Sequence, residues 1–232
     1  MCGRYRLSRR KQIVAEHFDV PEDGEDWTPR YNIAPTQPVP VIRKTPNQFR
    51  EMVFLRWGLI PSWATDLSIG ATTINARAET VSTTASFRDA FRSQRCLIPA
   101  DGFYEWQRNG KTKQPYCFEV SDGQLFAFAG LWDRWIDPQG RAVESCTILT
   151  TAPNKMLSDL HDRMPVILPL EEYDAWLNIP GDLGRALDLL IPFPGAMRRY
   201  PVSTRVNQAQ NEDAECAREV ELESPPQGEL FA

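Results

Sequence analysis

The chain has 232 residues, 42% of them hydrophobic, with seven Trp and eleven Phe, which suits one globular domain with a sizeable core. Its formal charge of −5 is unevenly spread: residues 207–232 carry seven acids against the single base Arg218, leaving residues 1–206 at +1, so the total does not exclude a phosphate-binding patch. No apolar run nears ~18 residues and no charged-then-apolar leader opens the chain, so neither a membrane span nor a signal peptide is expected.

The five cysteines, Cys2, Cys96, Cys117, Cys146 and Cys216, are odd in number, widely spaced and without a C-x-x-C pair. That pattern argues against a disulfide framework or a structural zinc site and for a reducing cytosol. Cys96, Cys117 and Cys146 sit in apolar, strand-like runs and read as small core residues. Cys2 differs. Removal of Met1 before a small residue would leave an α-amine, pKa about 7.7–8.0, and a thiol, pKa about 8.5, on adjacent carbons. Those two nucleophiles can close a five-membered ring on one carbonyl carbon. The plainer alternative is an ordinary cysteine in a frayed terminus.

Further along, Ser8 is placed to cap a helix over Arg9–Phe18, with Ile13, Val14 and Phe18 inward and His17 as a surface or packing residue. An acidic loop over 21–30 precedes a proline-studded segment from Tyr31. Strands are expected at 39–43 and 51–57, and Pro38 and Pro40 confine the first to a sheet edge. Trp57-Gly58-Leu59-Ile60-Pro61-Ser62-Trp63 fits either loop packing or a stacking platform for bases, worth about 1–3 kcal/mol per base. In Ile74–Glu79 the period of two puts Asn75, Arg77 and Glu79 on one strand face. A helix over about 86–95 carries Phe87, Ala90 and Phe91 at helical spacing.

The run Arg95–Trp106 reads as an apolar strand, a turn, then Glu105 flanked by aromatics, where a raised carboxyl pKa suits acid–base work. Asn109-Gly110 and Asp122-Gly123 are hairpin signals and give a meander over about 103–130. A strand over 143–151 and a short helix lead to Leu160-His161-Asp162-Arg163-Met164-Pro165. His161 is the best general acid–base candidate, because imidazole titrates near neutral pH, and it would share a face with Arg163 in an extended chain. Helices at 170–178 and 182–190 and a strand at 198–205 complete the body.

Six segments together resemble one family: Met1-Cys-Gly-Arg-Tyr, Tyr31-Asn-Ile-Ala-Pro, Trp57-Gly-Leu-Ile-Pro-Ser-Trp, Asn75-Ala-Arg-Ala-Glu, Ala100-Asp-Gly-Phe-Tyr-Glu-Trp and His161-Asp-Arg-Met-Pro. These are similar to the SOS response-associated peptidase (SRAP) family, whose members process abasic sites, over about residues 2–206. The resemblance implies an α+β fold, a single compact domain built on an antiparallel, barrel-like sheet with short flanking helices. It implies covalent capture of abasic sites in single-stranded DNA, with no cofactor and no metal. Cys2 matches the crosslinking nucleophile, and Asn75, Glu105 and His161 match active-site polar residues. Arg4, Arg77 and Arg163 match phosphate contacts, while Trp63, Trp106 and Thr150 match other DNA contacts. Some relatives carry a second Trp where this chain has Ala64, which changes the expected stacking wedge.

The chemistry follows. The Cys2 amine attacks the aldehyde of the ring-opened sugar to give an imine, and the thiol adds to close a thiazolidine. The rival is an N-terminal-nucleophile thiol peptidase or amidohydrolase, in which Cys2 attacks an amide with its own amine as base. A non-catalytic single-strand binder leaves Cys2, Glu105 and His161 unexplained. A cytoplasmic monomer, nucleoid-associated on DNA, is expected. Residues 207–232 read as a disordered acidic tail. Its end, Gln227-Gly228-Glu229-Leu230-Phe231, resembles the peptide that docks on bacterial sliding clamps through Gln227, Leu230 and Phe231.

Overall fold

The computed structural model describes residues 2–22, 26–110, 112–121, 123–178 and 181–222. In chain order the first elements are β1 (Tyr5–Leu7), α1 (Lys11–Phe18), β2 (Arg30–Ile33), β3 (Pro38–Lys44), β4 (Arg50–Trp57), β5 (Asn75–Arg77) and α2 (Arg88–Ser93). Then come β6 (Arg95–Ala100), β7 (Gly102–Asn109), β8 (Thr112–Val120), β9 (Phe126–Ile136) and β10 (Ala142–Thr151). The chain finishes with β11 (Met164–Pro165), β12 (Ile167–Leu168), α3 (Tyr173–Leu177), α4 (Leu183–Asp188) and β13 (Met197–Pro201).

One sheet has the order β13-β8-β7-β1-β2. The other runs β10-β4-β3-β6-β9, and pairing of β9 with β10 closes it into a barrel. Within that ring only the β4–β10 contact is parallel. β6, paired with β9 along its whole length and with β3 at Leu97, is buried throughout. The α+β architecture with short helices is the one expected.

Aromatic side chains join the two sheets. Tyr5 meets the barrel residues Trp57 and Phe128 edge-on, at centroid distances of 5.4 and 5.7 Å. Its register partner Phe103 stacks on Phe118 at 5.2 Å and touches Phe128 at 6.1 Å. Burial of each such ring contributes about 1.5–3 kcal/mol. The short β1 is therefore pinned by packing rather than by length, and Cys2 is pinned with it.

Several local expectations differ from the structure. β3 is not an edge strand, since it lies between β4 and β6. However, β6 meets it only at Ile42↔Leu97, so Pro38 and Pro40, which lack N–H donors, fall where a second partner does not reach. The meander stops after one hairpin: β8 pairs with β7 and β13, and Gly123, at φ 76°, helps turn the chain into the other sheet. In the first hairpin Asn109 pairs with Thr112, so Gly110 follows the strand end instead of sharing the turn with Asn109. Ser8 caps no helix; it donates its N–H and hydroxyl to the Asp101 carboxylate at 2.8 and 2.7 Å. Ala15 takes the inner place on α1 expected of Ile13, which is 45% exposed. Residues 155–160 form turns rather than a helix.

Residues 207–222 are ordered against the domain and do not belong to a free tail. Cys216 is buried, Arg205 pairs with Asp213, and Asn32 donates to the carbonyls of Val206, Gln208 and Asn211 at 3.2, 3.0 and 2.8 Å. The acids that suggested disorder serve as partners for Arg30, Arg198 and Arg205. The clamp-like residues Gln227, Leu230 and Phe231 lie outside the described residues. Among the described residues, no helix is long and apolar enough to cross a membrane.

Candidate active site

A cleft of about 750 Å³ opens beside the start of the chain, lined by Arg4, Glu105, Trp106 and His161 among others. The N–H of Tyr104 donates to the carbonyl of Arg4 at 3.0 Å, which lays Cys2-Gly3-Arg4 alongside β7. Cys2 is fully buried, with its thiol 3.8 Å from the Arg4 carbonyl. Burial pushes that thiol well above its ordinary range, and the nearby Glu105 carboxylate adds to the effect. Glu105 is itself buried, and burial raises its carboxyl to about 7, with the charge of Asp162 contributing. Sequence reasoning from the flanking aromatics anticipated this shift.

His161 sits in a turn, not an extended segment, so it shares no strand face with Arg163. Its Nδ1 accepts the backbone N–H of Arg163 at 2.9 Å and also lies 2.9 Å from Asp162. One lone pair cannot accept from an amide while the same nitrogen donates to a carboxylate. Burial lowers the imidazole's proton affinity, so the ring is neutral and the amide contact prevails. Nε2 then carries the ring proton, as a donor site needs.

A second group of expected residues adjoins the cleft. β5 runs parallel to β10 with Asn75 opposite Ile148 and Arg77 opposite Thr150. The Asn75 side chain donates to the Ile74 carbonyl at 3.0 Å, and its Oδ1 is buried without an acceptor's partner among the described residues. Arg163 donates to both oxygens of Glu79, at 2.7 and 2.9 Å, and to the Thr150 carbonyl. Through its own N–H on His161, Arg163 joins this group to the cleft. Arg77 is exposed. Trp63 is 55% exposed and lines a different hollow with Ala64, Asp66 and Thr72, so the structure does not bring it to Cys2.

The scaffold beneath is ionic. Arg6 donates to the Asp101 carboxylate at 3.0 Å, to Glu119 and to the Tyr200 hydroxyl at 3.1 Å, and Tyr200 donates to Glu119 at 2.6 Å. A Cβ at Gly102 would lie 2.8 Å from the Arg6 Nε, which accounts for glycine there. Arg4 is held in turn by Asn32 Oδ1 at 3.1 Å and the Val206 carbonyl at 2.9 Å. Sequence reasoning missed Asn32 in this role, though it lies inside a quoted motif. It also missed Asn207, which accepts from the Trp106 indole at 2.6 Å, and Arg108 and Lys113, which line the cleft.

The SOS response associated peptidase (SRAP) family matches residues 1–209. "Abasic site processing protein YoqW" of Bacillus subtilis (strain 168) is 44% identical over 221 residues, covering 93% of this chain and 98% of that protein. "Abasic site processing protein HMCES" of Xenopus tropicalis is 34% identical over 226 residues, covering 84% of this chain and 67% of that protein. A crystal structure of a protein from Bacteroides thetaiotaomicron superposes with a TM-score of 0.86 at 29% identity, covering 94% of this chain and 100% of that one.

Proposed function

Because this chain belongs to the SOS response associated peptidase family, we propose that it captures abasic sites in single-stranded DNA as a covalent adduct through Cys2. The observation that carries the reading is a buried Glu105 with its carboxyl near 7, lining a cleft with His161 and Arg4 and close enough to act electrostatically on the buried Cys2 thiol.

The abasic sugar opens to an aldehyde as the bond between C1 and the ring oxygen breaks. The C1 hydroxyl gives its proton to water, the ring oxygen takes one back through water, and the neutral His161 steadies that oxygen with a hydrogen bond from its Nε2–H. The Cys2 amine, freed by loss of Met1, attacks the aldehyde carbon, and Glu105 accepts the proton that the nitrogen sheds. Loss of one water gives the imine. The thiol then adds to the imine carbon, its proton passes to nitrogen, and a thiazolidine closes. The five-membered ring compensates for a thiol that burial keeps protonated, because the attack is intramolecular. The unpartnered Asn75 Oδ1 suits an amine N–H. Arg4, Arg77 and Arg163 take phosphates, with Thr150, Trp106 and Trp63 as further strand contacts.

A thiol peptidase is not favoured. Such an enzyme works through a thiolate, and burial drives Cys2 the other way. The test is a single-stranded oligonucleotide with one abasic site, followed by denaturing gel and intact mass. A denaturant-stable adduct is expected from the wild type and none from Cys2→Ala, with Cys2→Ser limited to a transient imine. Equal adduct from Cys2→Ala would overturn the reading.

A further inference from the structure

The cations around the cleft are not equivalent. Arg4 is occupied by Asn32 and Val206, Arg163 by Glu79 and Thr150, and Arg199 by Asp159 at 2.8 and 2.9 Å. Arg108 and Lys113, both exposed and both lining the same cleft, have no hydrogen-bond acceptor or carboxylate among the described residues. They are also direct partners across the β7–β8 hairpin, in the register Arg108↔Lys113.

Directly opposed residues of an antiparallel pair have Cβ atoms about 4.5–5.5 Å apart, and like charges there destabilise the hairpin. An anion lying between the two side chains reverses the sign of that interaction. The charge of Arg108 also reaches His161 and helps lower its proton affinity, so Arg108 is electrically part of the site. Arg108 stands three residues from Glu105, about 10 Å along the strand at ~3.4 Å per residue. Trp106, between them in sequence, donates its indole N–H to Asn207 Oδ1 at 2.6 Å.

We propose that Arg108 and Lys113 together grip phosphodiesters of the single strand where it leaves the cleft, a binding site additional to the three arginines named above. The inference rests on the function proposed for this cleft. Two cations that no acceptor among the described residues claims bind the strand without breaking a described internal bond, unlike Arg4 and Arg163. Their contribution is sequence-independent and strongly salt-dependent.

The experiment uses a lesion-free oligothymidine with a fluorescent end, titrated by anisotropy between about 50 and 200 mM salt. Two single-strand phosphate contacts add about 1.4 to the slope of log affinity on log salt. Over that range wild type is therefore expected to lose about seven-fold more affinity than the Arg108→Gln/Lys113→Gln variant. Arg92→Gln, an exposed cation outside the cleft lining, should leave the slope alone. The charge-keeping variant Arg108→Lys/Lys113→Arg should retain it. An unchanged slope in the neutral variant overturns the contact, and so does an equal loss in the charge-keeping variant. Wild-type crosslinking to an abasic strand runs in parallel. No adduct from wild type removes the reading on which the contact rests, whereas an adduct with an unchanged slope removes the contact alone.

Discussion

Arg163 holds Glu79 through both terminal nitrogens, at 2.7 and 2.9 Å, in the absence of DNA. The guanidinium proposed above to take a phosphate is thus already engaged with a carboxylate. Glu79 is half exposed, so the pair is worth about 1 kcal/mol or less. Glu79→Gln should strengthen binding of a lesion-free single strand by about two- to five-fold at low salt, the share of that energy no longer spent on displacement. Anisotropy decides it. Weaker binding in the variant would mean that Glu79 stations Arg163 rather than competing for it.

Glu105 sets the expected pH dependence. In the proposed role of proton acceptor it must be ionised, and burial places its carboxyl at about 7. Adduct formation by the wild type should therefore rise with pH through about 7, and Glu105→Gln should be slow and lose that step, keeping only the later rise as the Cys2 amine loses its proton at about 7.7–8.0. Stability moves the opposite way. The fold holds this proton more tightly than the unfolded chain does, so the stabilisation is full below about 4.3 and is lost as pH rises through about 7. Single-turnover adduct kinetics and melting curves at stepped pH check both halves.

Asp101 is fully buried and accepts from Arg6, from the Ser8 N–H and from the Ser8 hydroxyl. Replacing it by Asn leaves Arg6 underpaired in the interior and should cost about 3–5 kcal/mol, read as a fall in denaturation midpoint. Because Arg6 is on β1, the residual folded protein should also form adduct more slowly. A midpoint within error of wild type would remove the ionic scaffold from the account of the site.

A chain ending at Val206 tests the folded limit. It removes the Gln208 and Asn211 carbonyls that Asn32 contacts and the Asp213 partner of Arg205, and it uncovers the core around Tyr104 and Val202. Lower stability by about 2–4 kcal/mol is expected from the lost apolar burial and unpaired groups.

Much of the fold was legible because its signals are local. Alternation and apolar runs located β3, β4, β6, β7 and β10, and Phe87, Ala90 and Phe91 marked α2 at helical spacing. Partners were not legible. Gly123 turns the chain at φ 76°, but whether such a turn joins two strands or two sheets depends on residues far along the chain. Residues 207–232 read as a disordered acidic tail because a linear sequence does not reveal that Arg30, Arg198 and Arg205 pair with acids within 207–222.

By itself the sequence determined the reactive inventory: an amine and thiol at Cys2, a carboxyl among aromatics at Glu105, an imidazole at His161 and a set of arginines. Those are properties of residue type and near neighbours. Only the tertiary structure decided which of them meet and in what state. Desolvation, which requires chain from both sheets, raises Glu105 to about 7 and suppresses the Cys2 thiolate. Long-range pairing engages Arg4 with Asn32 and Arg163 with Glu79, and leaves Arg108 and Lys113 facing each other across a hairpin. Burial and pairing depend on separation in space, and a linear chain specifies those separations only once it has folded.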